Sequence, residues 1–140
     1  MSRMYNSGMK AIGDGSIPWE SADVRVLLVT SSYSFDDTDD FVSDVSAAEL
    51  TNSGYARVAL ANAASYVDDT NHRARFDADD ALFAALGAGD TPAYAIVYLY
   101  NASDAAAALI CCCGLTTPPA PNGGDYTIQW GAAGIFTATN

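Results

Sequence analysis

The hydrophobic and polar positions along this chain pattern mostly as short strands. DVRVLLVTS (23–31) is a nearly continuous Val/Leu run, the pattern of a strand covered on both faces. GYARVALAN (54–62) and ASYVDD (64–69) are shorter candidates separated by an Asn turn. HRARFDAD (72–79) alternates: His72, Ala74, Phe76 and Ala78 share one face, and Arg73, Arg75, Asp77 and Asp79 the other. AYAIVYLY (93–100) is apolar on both faces, with Tyr94, Ile96, Tyr98 and Tyr100 opposite Ala93, Ala95, Val97 and Leu99. AALICCCGL (107–115) precedes a Pro-rich turn, and DYTIQW (125–130) and GIFTAT (134–139) close the chain.

These segments predict eight or nine strands punctuated by turns, hence an all-β fold: a jelly-roll-like antiparallel β-sandwich with little helix. Helix is expected only over part of YNSGMKAIGDG (5–15), before Gly13 and Gly15, and as a single turn in VSAAEL (45–50). In that turn Ser46 is a candidate N-cap and Glu49 completes a capping box. ALFAAL (81–86) fits either a helical turn or a strand. The aspartate-rich SFDDTDDF (34–41) has no periodicity and reads as a surface loop. At 140 residues, with no internal repeat and no long linker, one domain is expected.

Charge narrows the partners. There are 17 acidic residues against 6 basic, a net charge of -11, and every acid except Glu20 and Glu49 is Asp. That balance argues against a nucleic-acid backbone as partner and suits a basic protein surface. No apolar run approaches the ~20 residues of a membrane helix. MSRMYNSGMKAIGDGS lacks an apolar core, so no secretory signal is expected.

The three cysteines, Cys111, Cys112 and Cys113, are adjacent. Consecutive Cα atoms lie ~3.8 Å apart, too close for an ordinary disulfide. Cys111 and Cys113 share a strand face but stand too far apart along it. Zinc needs wider spacing and further ligands, and the only histidine, His72, is distant in sequence. The cysteines therefore read as small hydrophobes between two layers. His72, on the apolar face of its strand, reads as a partly buried, hydrogen-bonded imidazole and leaves Ser or Cys catalysis without a base. No phosphate-binding, zinc-protease or serine-hydrolase motif occurs.

The clusters Asp36–Asp37–Asp39–Asp40, Asp68–Asp69 and Asp77–Asp79–Asp80 fit three readings. They are a solvated acidic rim, turn formers bonding their own backbone, or oxygen ligands for a cation such as calcium. DDTDDF lacks the Gly and bidentate Glu of an EF-hand loop. No spacing selects a carboxylate pair for glycoside cleavage. The doubly apolar strand 93–100 must be covered twice, by its own chain or by a partner, and Tyr is a frequent interface residue.

Three segments carry a family resemblance: VRVLLVTSSYSFDDTDDFVSDVSAAELTNSGYARVAL (24–60), VDDTNHRARFDADDALFAAL (67–86), and AYAIVYLY with DYTIQWGAAGIFTAT. From about Met4 to Thr139 the chain resembles the cement (head decoration) proteins of podovirus-type tailed bacteriophages, such as that of a Bordetella phage. LVTSSY, FDADD and IQWGAAGI carry the likeness; the CCC stretch departs from it. The resemblance implies a jelly-roll sandwich on the outer surface of an HK97-type capsid, bridging neighbouring major capsid subunits without enzymatic activity. The expected partners are the major capsid protein and a second copy as a homodimer, with no nucleic acid, membrane, cofactor or catalytic residue. Candidate interface residues are Trp19, Tyr94, Tyr98, Tyr100, Asp36, Asp37, Asp39 and Asp40, and residues 1–20 form a candidate arm ordering against the shell. The alternative is a head- or tail-fibre adhesin binding host carbohydrate through exposed Trp19, Tyr33 and Tyr55.

Overall fold

Strands with two apolar faces end up in the middle of a sheet, and this chain has three of them. The computed structural model describes residues 2–140. In it β2 (Val24–Val29), β7 (Tyr94–Leu99) and β8 (Leu109–Gly114) lie side by side, flanked by the short edges β1 (Ser2–Met4) and β3 (Val58–Ala59). The order is β1-β8-β7-β2-β3, antiparallel throughout, with Leu27 opposite Ile96 and Val97 opposite Cys111. A second layer combines the three-stranded sheet β10 (Phe136–Thr139), β5 (Arg73–Asp77), β4 (Ala64–Asp68) with the pair β6 (Ala81–Phe83) and β9 (Tyr126–Ile128). Over the described residues the chain is thus an all-β, jelly-roll-like antiparallel sandwich of ten short strands.

The core lies on both sides of the large sheet. Between the layers, Val26, Leu28, Ala95, Val97, Cys111 and Cys113 meet Phe83, Tyr126, Ile128 and Phe136. On the far face Leu27, Val29, Ile96, Tyr98, Leu109 and Cys112 lie under Tyr5, Tyr33, Val42, Val45 and Ala107. The three thiols are free and buried, with Cys111 and Cys113 facing one way and Cys112 the other. A bulge between Val97 and Tyr98 leaves Ile110 unopposed, so Ile110 and its neighbour Cys111 both enter the inter-layer core.

Several elements depart from the sequence pattern for identifiable reasons. Ser2–Met4 has no periodicity, yet it forms β1 because β8 has an open edge there. The expected 1–20 arm is instead folded into the body over its described residues. Helix α1 (Asn6–Gly13) lies so close to β8 that a Cβ on Gly8 would stand 2.5 Å from the Ile110 carbonyl oxygen. Around 45–50 the helical turn begins earlier, as α2 (Val42–Val45) followed by a 3₁₀ turn, Ser46–Ala48. Val42 and Val45 anchor it in the core, and Asp44, not Glu49, accepts the Asp40 and Phe41 N–H groups. GYARVALAN shortens to β3, and Tyr55 and Arg57 before it make the cross-links described below. His72 occupies a left-handed position (φ 52°) in the β4–β5 turn and is exposed, so it is not the core imidazole its parity suggested. ALFAAL resolves as strand β6. No helix among the described residues is long and apolar enough to cross a membrane.

Candidate functional site

The aromatic residues expected at an interface are largely consumed by the fold. Trp19 is 4 % exposed. Its ring meets Phe136 edge-on at 5.0 Å, and its indole N–H donates to the Ala64 and Asp77 carbonyl oxygens, each at 3.1 Å. It pins the three-stranded sheet to the body. Tyr98 is 1 % exposed beneath the chain's own cover. Neither offers surface to a partner, which corrects both assignments. Tyr94 is half-buried with its ring 5.9 Å from that of Tyr33, and Tyr100 is exposed under the Arg25 guanidinium, 3.6 Å from its ring centre. The proposed sugar-binding trio fails for the same reason as Trp19. Tyr33 is buried, and half-buried Tyr55 stacks on Phe83, donates to Glu49 Oε1 and accepts the Leu28 N–H.

The acidic loop does two jobs. Its backbone and aromatic residues form part of the cover: Asp37 O accepts the Asn6 N–H, Asp40 O accepts the Leu109 N–H, and the Phe35 ring lies 5.1 Å from that of Tyr5. One carboxylate acts as a turn former, Asp36 Oδ1 accepting from Thr38 N–H and hydroxyl. Asp39 accepts from the Tyr33 hydroxyl at 2.9 Å, and burial raises its carboxyl above the usual range. Tyr33 in turn meets Tyr5 at 3.0 Å, and burial pushes the Tyr33 phenol up to about 12. Asp37 and Asp40 remain exposed. Among the described residues no group of three or more His, Cys, Asp or Glu side chains is disposed to hold a metal ion.

The densest polar cluster braces the fold. Arg57 donates from Nε and Nη2 to the two Glu49 oxygens, each at 2.7 Å, and from Nη1 and Nη2 to Asp104 at 2.7 and 2.9 Å. These bidentate pairs join the approach to β3 with Glu49 and the 101–108 segment. The guanidinium's hydrogen bonds hold Asp104 below the usual carboxylate range. Burial pushes the Cys112 thiol up to about 12; Cys111 is raised first by its hydrogen bond with Cys113 and then by burial. Thiols in that state are not nucleophiles at neutral pH.

One edge that the fold leaves open is that of β4. Only β5 pairs with it. Tyr66 is 49 % exposed, on the outer face beneath Arg75, and Val67 is 81 % exposed on the inner face. Val67, Ala74 and Ala138 form one cross-strand row, a step beyond the Ser65–Phe76–Phe136 row that meets Trp19. The second layer therefore overhangs the core at Val67, while Ala74 beside it is half-buried. Both ends of the edge are finished with charge. Glu20 accepts the Ser65 N–H at 3.0 Å and its hydroxyl at 2.6 Å, and Asp68 pairs with Arg73 at 2.8 Å.

No protein family, curated protein or solved structure matches this chain. Site and function therefore rest on the geometry and on the sequence resemblance. The β4 edge escaped the sequence reading because ASYVDD looks like any half-buried strand. The available signal was the adjacency of Tyr66 and Val67: neighbours on a strand face opposite ways, so one apolar side chain must lie off the core face or beyond the core.

Proposed function

We propose that this chain is a non-enzymatic virion structural protein that binds the outside of an HK97-type capsid and cements neighbouring major capsid subunits. The observation that carries this reading is the unpaired β4 edge with Val67 and Tyr66 exposed. An extended segment of a partner adds to such an edge through main-chain hydrogen bonds, while pockets for alternate side chains give specificity. The exposed Tyr100, Asp37 and Asp40 add aromatic and acidic surface, and the net charge of -11 favours encounter with basic patches on a shell.

The mechanism is mass action. A protein that binds the closed lattice and not the free subunit stabilises the lattice in proportion to its occupancy. Weak single contacts suffice when copies paired as a homodimer engage neighbouring sites together. The ordered N-terminal segment gives a rigid body for this task, with little ordering left to oppose binding.

Mass spectrometry of purified particles tests the proposal. The protein should be present in hundreds of copies per virion, and Val67→Lys should lower that occupancy while the soluble protein keeps its melting temperature. Recovery only from the lysate, with intact particles lacking it, would falsify the proposal.

A further inference from the structure

A second surface has a different chemistry, independent of the β4 edge and of any capsid. Two clefts of about 330 and 380 Å³ meet between the end of β8, the Pro-rich turn and the 126–137 segment, sharing Gly114, Leu115, Ile128, Gln129 and Gly131 along their common wall. Each is in the size range of small-molecule sites. Among the described residues neither is lined by a charged side chain, although the surrounding chain carries 17 acids. The polar groups facing them are hydroxyls and an amide, including Thr117, Thr127 and Gln129.

Trp130 supplies the apolar element. It is half-buried in the first cleft, and its indole N–H donates to the Asp79 carbonyl at 2.9 Å, which fixes the ring. Asp80 holds the Trp130 backbone N–H at 3.1 Å, so the platform is anchored at two points. In the second cleft Thr117 has φ 46°, in the left-handed region that a β-branched side chain strongly disfavours. Strain of that kind persists only where surrounding structure enforces it, and it clusters at ligand sites.

We infer that this groove binds a neutral oligosaccharide. A fixed aromatic ring offers a face for the C–H side of a sugar ring. Hydroxyl and amide groups can each donate and accept toward sugar hydroxyls. A charged ligand would lose its hydration here without finding a counter-charge, so acidic and basic sugars are disfavoured. Half-buried Trp130 lines this groove, whereas Trp19, Tyr33 and Tyr55 are buried or braced elsewhere.

The test follows the Trp130 indole N–H resonance by NMR while maltotetraose, cellotetraose, mannotetraose and chitotetraose are titrated into the intact protein, with oligogalacturonate as the charged control. At least one neutral sugar should give saturable shifts confined to residues 114–119 and 126–137. Gln129→Ala, an exposed substitution, should weaken that binding about tenfold with the melting temperature unchanged. Thr117→Gly should raise the melting temperature and also weaken binding. Silence of Trp130 toward every neutral sugar, shifts scattered over the surface, or equal binding of oligogalacturonate would overturn the inference. So would shifts produced by extended peptides and not by sugars. None of these outcomes bears on whether the protein occupies a capsid.

Discussion

Strands β7 and β4 are written in similar letters and meet opposite fates. YAIVYL is closed on both faces: the second layer covers Ala95 and Val97, and Tyr33, Val42, Val45 and Ala107 cover Ile96 and Tyr98. ASYVD has one neighbour, and its Tyr66 and Val67 stand in solvent. Hydrophobicity does not separate them. The segment 30–48 and the 101–108 loop return across β7, while no described segment covers Val67. In a small sandwich the connections decide which apolar face is core and which is left for a neighbour.

The sharpest way to break this contrast is to remove bulk from both strands. Ile96→Ala should cost about 2–5 kcal/mol in urea unfolding, as large-to-small changes at fully buried sites do. Val67→Ala should stay within about 0.5 kcal/mol. A comparable loss at both positions would mean that the β4 edge is covered in the isolated protein. Next comes Gly8→Ala, which drives a methyl into the Ile110 and Leu109 carbonyls and should cost about 1–3 kcal/mol through lifting α1 from β8. An unchanged unfolding midpoint would show that this helix does not hold the sheet.

Val67→Lys should leave stability within about 0.5 kcal/mol. A Lys on a strand edge obstructs pairing with another chain, so the effect belongs in binding to assembled shells, measured by co-sedimentation. Retained binding would move the docking surface elsewhere. The smallest effect concerns acid. Arg57 holds Asp104 below its ordinary 3.8, so the folded state takes up this proton less readily than the unfolded chain. That contribution is complete above about pH 4 and drains away as pH falls through the depressed folded value. Asp104→Asn should flatten the acid limb of stability against pH, whereas a limb of unchanged slope would exclude the brace as its source.

The central strands were legible because their patterns are strong: a continuous Val/Leu run at 24–29 and doubly apolar runs at 94–99 and 109–114 admit few other structures. The thiols followed from parity and covalent geometry alone. Ser2–Met4 was illegible because its pairing is imposed by the open edge of β8 and not by its own letters. His72 was misplaced because alternation was extended one residue into a turn, where a left-handed backbone breaks the parity. The Tyr face of β7 plainly needed cover, but periodicity is silent on whose chain provides it. Trp19 was read as surface from its polar, Gly-rich surroundings, yet its ring is the wedge between the layers. Long-range contacts of this kind leave no local trace in sequence.

The run of adjacent thiols in β8 gives the molecule an internal clock. While the sandwich is closed these sulfurs are buried, so alkylation of the native protein waits on excursions that expose the middle of the large sheet. If opening is all-or-none, mass spectra should jump from unlabelled to triply labelled; stepwise addition would reveal fraying from the Gly114 end. Placed on a shell, the same chemistry would time how long a bound copy keeps its centre shut.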